Sequence, residues 1–292
     1  MDELTRRYLA QQAELGGAEV ILSGKRALAA TRPARAEDDA VALTKPAAPE
    51  EPADPGTPTT PVAEPTAAPP RGRLTAPGGP RWMVGAPPIP GPGLAVTSPE
   101  AVLLGNDLHN LESLEQVAER IRTTYCCALC PNRTNAVPGE GNPQAKLVLV
   151  GEGPGATEDA TGRPFVGQAG TLLDSILEAI DVPRSSVYIT NIVKCRPPQN
   201  RKPLPDEMAA CLPYLHRQLD LIRPRAILAM GSTAGEALLG VRKSLGELRG
   251  KVHTYNGIPL VVTYHPAALL RNPNWKKPTW DDVRIARQLL DR

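Results

Sequence analysis

Residues 147–155 read LVLVGEGPG. Four apolar residues in a row, Leu147 to Val150, run straight into a glycine turn. An apolar run that short, with no polar alternation, marks a strand buried on both faces, as in a parallel sheet. Three further runs follow at Val187–Val193, Ala226–Met230 and Leu260–Tyr264. Between and after them the apolar residues fall at helical spacing, over about 168–180, 205–222, 232–240 and 280–291. Upstream, Leu111, Leu114, Val117, Ala118 and Ile121 form another helical stripe that ends near a group of cysteines. Strands alternating with helices predict an α/β fold, a three-layer α/β/α sandwich around four parallel strands. The folded part is expected to span 101–292, long enough for a sizeable core.

The first hundred residues read differently. Of the 33 prolines in 292 residues, 17 fall between Pro33 and Pro99. Stretches such as APEEPADPGTPTTP lack the apolar residues needed to offset ordering entropy, so 23–100 is expected to be a disordered, semi-extended linker. Leu4, Tyr8 and Leu15 recur at roughly helical spacing in MDELTRRYLAQQAELGG, predicting a short helix over 1–22 that either frays or docks on an unidentified partner. That segment is charged throughout and does not read as a secretory signal. No run approaches the ~18 apolar residues of a spanning helix, which excludes a membrane protein of that kind. The cysteines at 126, 127, 130, 195 and 211 then point to a reducing cytoplasm, where clustered thiols bind metal more often than they pair. Residues 101–292 hold 23 basic and 19 acidic side chains, a balance that permits a nucleic-acid partner without requiring one.

In open α/β sheets the ligand site lies beyond the carboxyl ends of the strands. The first run ends in Gly151-Glu152-Gly153-Pro154-Gly155, the second carries Asn191 near its end, and the fourth is followed by His265-Pro266. A carboxylate, an amide and an imidazole therefore meet at one edge of the sheet. Any one of them alone is more often a structural hydrogen bonder; their shared location is the signal. The turn GEGPG is not GxGxxG: a proline replaces a needed donor and no helix is expected to open directly after it, which argues against a dinucleotide site. The loop continues ATEDATGRPFVGQAG, carrying Glu158, Asp159 and Phe165, the only phenylalanine in the chain. Phe165 is either core filler or, beside a carboxylate in a glycine-rich loop, a flat platform on which a base can stack.

Three long motifs carry a family resemblance: GEGPGATEDATGRPFVGQAG (151–170), YITNIVKCRPPQNRKPLPDE (188–207) and YHPAALLRNP (264–273), with weaker support from RTNAVPGEGNPQAKL (133–147) and LRG (248–250). In this order and spacing the chain resembles a family-four uracil-DNA glycosylase, the iron–sulfur type, from about Val117 to Asp291. The resemblance implies a four-stranded parallel sheet between helices. It also implies a monofunctional enzyme that flips deoxyuridine out of DNA and hydrolyses its N-glycosidic bond, leaving an abasic site. Phe165 would stack on the base, with Gly153 also in the uracil-binding set, and the Asn191 amide would read its O4/N3 edge. His265 would act as a neutral donor near O2, stabilising the departing anion. Glu152 or Glu158 would hold the attacking water or offset the sugar charge, or the roles would divide, with Glu158 blocking the thymine methyl; Glu152 is favoured for the water. Leu269, or alternatively Leu270, resembles the wedge that fills the gap left by the flipped base. Arg271, Lys276 and Lys277, with Lys194, Arg196, Arg201 and Lys202, are candidates for a phosphate-binding rim.

The cysteines depart from the family pattern. Cys195 and Cys211 have the spacing of its second pair, but its first pair maps onto Thr124 and Cys127. The expected ligand set is therefore Cys127, Cys130, Cys195 and Cys211, with Cys126 as substitute. It would hold a structural [4Fe–4S] cluster, with zinc as the second reading on grounds of softness. No lysine sits in the motifs as a Schiff-base nucleophile, so strand cleavage is not expected. The alternatives are a module that binds or traps uracil-DNA without turnover, or a polymerase-associated accessory domain. Trapping relatives carry an extra basic loop with a histidine, whereas KCRPPQNRKP (194–203) has neither. The expected partner is uracil-containing DNA, the expected state a cytoplasmic monomer.

Overall fold

The computed structural model describes residues 79–98 and 107–292. The predicted helix at 1–22 and the linker up to residue 78 lie outside the described residues. The described elements, in chain order, are β1 (Pro92–Val96), α1 (Leu114–Thr123), β2 (Glu140–Gly141), β3 (Leu147–Gly151), α2 (Ala156–Thr161), α3 (Gln168–Ala179), β4 (Tyr188–Asn191), α4 (Pro205–Ile222), β5 (Ala226–Met230), α5 (Ser232–Leu239), α6 (Leu245–Leu248), β6 (Val252–Tyr255), β7 (Ile258–Thr263), α7 (Pro266–Arg271) and α8 (Lys276–Leu289). Short 3₁₀ turns link several of them.

The four apolar runs become β7, β5, β3 and β4, side by side and all parallel. Alternate residues of each strand point to opposite faces. Val148, Val150, Ile227, Ala229, Leu260 and Val262 pack under α4 and α5 through Leu215, Leu219 and Leu238. Leu147, Leu149, Leu228, Met230 and Val261 pack on the other face against Leu173 and Leu177 of α3 and Val283 and Leu289 of α8. Both faces are covered, which is why these strands read as nearly unbroken apolar runs. Among the described residues no helix is long and apolar enough to cross a membrane.

Three strands extend the expected four-stranded sheet to seven, in the order β1-β6-β7-β5-β3-β4-β2. The sheet is mixed, because β6 runs antiparallel to β7 and β2 antiparallel to β4. β6 and β7 form a hairpin closed by Asn256 and Gly257, both at positive φ, the pair a tight two-residue turn demands.

β1 and a 3₁₀ turn over Arg81–Met83 lie within the stretch read as linker, so the described fold begins about twenty residues before 101. Apolar anchors sit among the prolines here and order this stretch despite its composition. Trp82 is 1% exposed, packs into the α8 side of the core and lies under the Arg287 guanidinium. Pro92, which has no N–H to offer, is tolerated as the first residue of an edge strand. His253 secures β1: its Nδ1 accepts from the Leu94 N–H at 3.0 Å, leaving Nε2–H to donate to the Leu248 carbonyl at 2.7 Å. A further correction concerns the glycine turn. A helix, α2, does open directly after Gly155, and its Gly155 N–H is taken by the Glu158 carboxylate at 3.1 Å.

Candidate active site

β3 and β4 end together, with Gly151 in register opposite Asn191. A Cβ at 151 would overlap the Asn191 amide oxygen and come within 2.6 Å of the Phe165 ring, so only glycine lets the amide and the ring meet over the strand ends. Asn191 is 1% exposed and its Oδ1 has no hydrogen-bond partner among the described residues. A buried acceptor left open costs free energy unless something binds it.

Phe165 stands at positive φ in the loop between α2 and α3. Two devices hold it there. Gly170 leaves room for the Phe165 carbonyl, against which any side chain would collide. Arg184 donates to the carbonyls of Phe165 (3.1 Å) and Pro164 (2.7 Å) while paired with Glu140 and Asp174. The Phe165 ring lies 5.4 Å from the His265 ring, tilted by 32°.

His265 precedes α7 and caps it: Nδ1 accepts from the Ala267 N–H at 3.2 Å. In a neutral ring that leaves the proton on Nε2. Burial, helped by the Arg271 charge and opposed by Glu158, holds its pKa down at about 4, so the ring is neutral at pH 7.

The two glutamates separate by their partners. Glu158 Oε1 accepts from the N–H groups of Val166 (3.0 Å) and Gly167 (2.9 Å), and Oε2 from Gly155. That carboxylate braces the loop on both sides of Phe165. The Glu152 side chain accepts nothing from the described residues. Glu152, Gly153, Glu158, Phe165, Asn191 and His265 line one cavity of about 350 Å³, with Arg201 and Arg271 at its rim. The volume suits a single small-molecule-sized guest.

Several expectations do not survive the side-chain positions. Leu269 is 1% exposed and packed inside, whereas its neighbour Leu270 is 48% exposed. Lys194 is fully buried and is no part of a phosphate rim. Arg201 is paired with Glu207 and Lys202 with Glu236, while Arg196 bonds Asn200. Arg271, Lys276 and Lys277 remain exposed.

The five cysteines converge from three segments: the stretch after α1, the residues after β4, and α4. Sγ of Cys130 lies 3.9 Å from Cys126, 3.8 Å from Cys127 and 3.7 Å from Cys195, and Cys126 lies 4.0 Å from Cys211. Cys126, Cys127 and Cys211 also group closely enough to share one ion. Arg133 donates to Cys195 Sγ at 3.3 Å. An all-sulfur donor set, buried at Cys130, Cys195 and Cys211 and half-buried at Cys126 and Cys127, with a cation beside it, fits a thiolate-bound metal group, iron–sulfur or zinc. Thr124, where the family pattern calls for a cysteine, borders the same small hollow as Cys126, Cys130, Cys195 and Cys211.

Comparison with known proteins agrees with this geometry. The family model described as the uracil DNA glycosylase superfamily matches residues 138–286. The chain is similar to the type-4 uracil-DNA glycosylase of Sulfurisphaera tokodaii, 45% identical over 61% of this chain and 86% of that protein. It is similar to the type-4 enzyme of Thermotoga maritima at 47%, over 62% of this chain and 96% of that one. A type-5 uracil-DNA glycosylase of Thermus thermophilus is more distant, 37% identical over 50% of this chain and 84% of its own length. The orphaned amide, the Phe165 ring beside it and the gathered thiols thus sit in a chain that belongs to the uracil-DNA glycosylase superfamily and, within it, to the type-4 family.

Proposed function

We infer that the chain is a uracil-DNA glycosylase of base excision repair, a hydrolase of the N-glycosyl bond, and that Asn191 is the residue that reads the base. The observation that carries this reading is the unpartnered Asn191 Oδ1, buried at the floor of a cavity walled by Phe165 and His265. A uracil flipped out of the duplex and laid on Phe165 presents N3–H to Oδ1 and O4 to the amide N–H. Cytosine presents the opposite pattern on that edge and leaves polar groups of the site unpaired, the strongest form of rejection a pocket has.

Breaking the glycosidic bond leaves positive charge on the sugar and negative charge on the departing uracil. His265, neutral and with its proton on Nε2, donates toward O2 and holds that charge as it develops. The free Glu152 carboxylate orients the attacking water and offsets the sugar cation. Glu158, with both oxygens committed to backbone N–H groups, keeps the Phe165 loop in shape, and the Gly153 backbone lets the base approach. Leu270 takes the wedge role, and Arg271, Lys276 and Lys277 meet phosphates on either side of the gap.

The metal group proposed is a [4Fe–4S] cluster on Cys130, Cys195, Cys211 and one of Cys126 or Cys127. When bound, it supplies a covalent tie between the segment before β2, the loop after β4 and α4. The hydrolysis itself runs on Glu152, Asn191 and His265. The partner is uracil-containing DNA, the compartment the cytoplasm and the working state a monomer. Asn191→Ala and His265→Ala should each slow uracil release by about a hundredfold or more with the fold intact; wild-type release from either variant would overturn the pocket assignment.

A further inference from the structure

Lys194 is among the largest fully buried side chains in the fold, and the pocket described above leaves it without a task. A buried amino group must find partners for its protons, and this one does. Nζ lies 2.6 Å from Thr190 Oγ1, 2.8 Å from the Asn191 carbonyl oxygen and 2.8 Å from Gln218 Oε1. Two of these acceptors belong to the last two residues of β4, and the third stands in α4. The contacts continue outward. Gln218 Nε2 donates to the Pro138 carbonyl at 2.8 Å and to the Tyr188 hydroxyl at 3.2 Å. Thr190 Oγ1 donates to the same Pro138 carbonyl at 3.0 Å, and the Lys194 carbonyl accepts from the Val137 N–H at 2.8 Å.

A methionine, one atom shorter, would fill most of this space with no buried amino group to satisfy. The lysine instead grips the main chain at the residue whose side chain faces the base. Asn191 Oδ1 has no partner among the described residues, so its direction depends on how firmly the backbone at 191 is held. We propose that Lys194 is a positioning residue for uracil recognition, clamping the carbonyl of Asn191 to α4 so that the Asn191 amide points into the cavity. Lys194 also directly precedes Cys195, so the clamp joins the thiol-bearing loop to the base-reading strand.

The inference rests on Asn191 as the base reader, and a double-mutant cycle on the full chain separates the two. Single-turnover uracil release is measured for wild type, Lys194→Met, Asn191→Ala and the double variant, with circular dichroism and iron content as controls for folding. The expected result is a loss of about tenfold or more in Lys194→Met and no further loss when it is added to Asn191→Ala, since residues acting through one contact are not additive. Wild-type release by Lys194→Met, or an equal loss in both backgrounds, overturns the positioning role. Full activity of Asn191→Ala instead sinks the base-reading assignment, and this inference with it. If Lys194→Met fails to fold, the isosteric Thr190→Val, which removes one acceptor, takes its place in the cycle under the same criteria.

Discussion

Gly151 and Asn191 are register partners at the carboxyl ends of adjacent parallel strands, and the amide oxygen of Asn191 fills the space a side chain at 151 would need. The strand ends therefore set the Asn191 amide directly, with no intervening side chain. Gly151→Ala should push the amide and the Phe165 ring aside. We expect uracil release to fall about a hundredfold, the order of loss that a displacement of about 1 Å produces at a reacting centre. A single-turnover assay, with a thermal melt beside it, checks this; unchanged release would mean that Asn191 does not need its present position.

The glutamates should fail in different ways. Glu152→Gln is expected to cut turnover by about a hundredfold or more without loss of stability, as removal of a general base does. Glu158→Gln should cost about 2 kcal/mol of stability, because it weakens charge-assisted bonds from three backbone donors. Urea unfolding and release kinetics on both variants test the division. A Glu158 variant that keeps full stability and loses only turnover would reverse it.

Acid sensitivity follows from His265. Its pKa of about 4 lies below the ordinary 6.5, so between those values the unfolded chain binds a proton that the folded chain does not. The stability this histidine contributes is complete above pH 6.5 and is lost as pH falls toward 4. His216, buried and likewise held at about 4, adds in the same direction. Activity that depends on neutral His265 should not drop through pH 6.5. A pH–rate profile with a loss centred there would contradict the neutral-donor role.

Cys126 and Cys127 each stand beside Cys130 and both group with Cys211. We expect either to be dispensable alone. Cys126→Ala and Cys127→Ala should keep bound iron and the visible absorbance, the double variant should lose both, and so should Cys130→Ala, Cys195→Ala or Cys211→Ala. Iron and acid-labile sulfide analysis reads this out, and zinc without iron in an anaerobic preparation would replace the cluster with a single ion.

The parallel core was legible because a strand buried on both faces leaves an unbroken apolar run, and the rule for strand ends then brought Glu152, Asn191 and His265 to one edge. What stayed hidden depended on neighbours distant in sequence. Proline density masked β1, although Trp82, Leu94 and Val96 were present as anchors. The Asn256-Gly257 pair was a readable hairpin signal and pointed to β6. Lys194 beside Arg196 reads as basic surface, and only the fold shows its three acceptors. One residue of helical rotation separates the buried Leu269 from the exposed Leu270, and periodicity in a six-residue helix is too short to tell them apart. Glu152 and Glu158 are alike in sequence; the backbone donors around Glu158 distinguish them.

The most direct measurement is release of free base from three duplex oligonucleotides identical except for one uracil, thymine or cytosine. The account predicts release of uracil over many turnovers, an abasic site without strand cleavage, and no detectable thymine or cytosine. No uracil release under turnover conditions, or release of cytosine at a comparable rate, would contradict it.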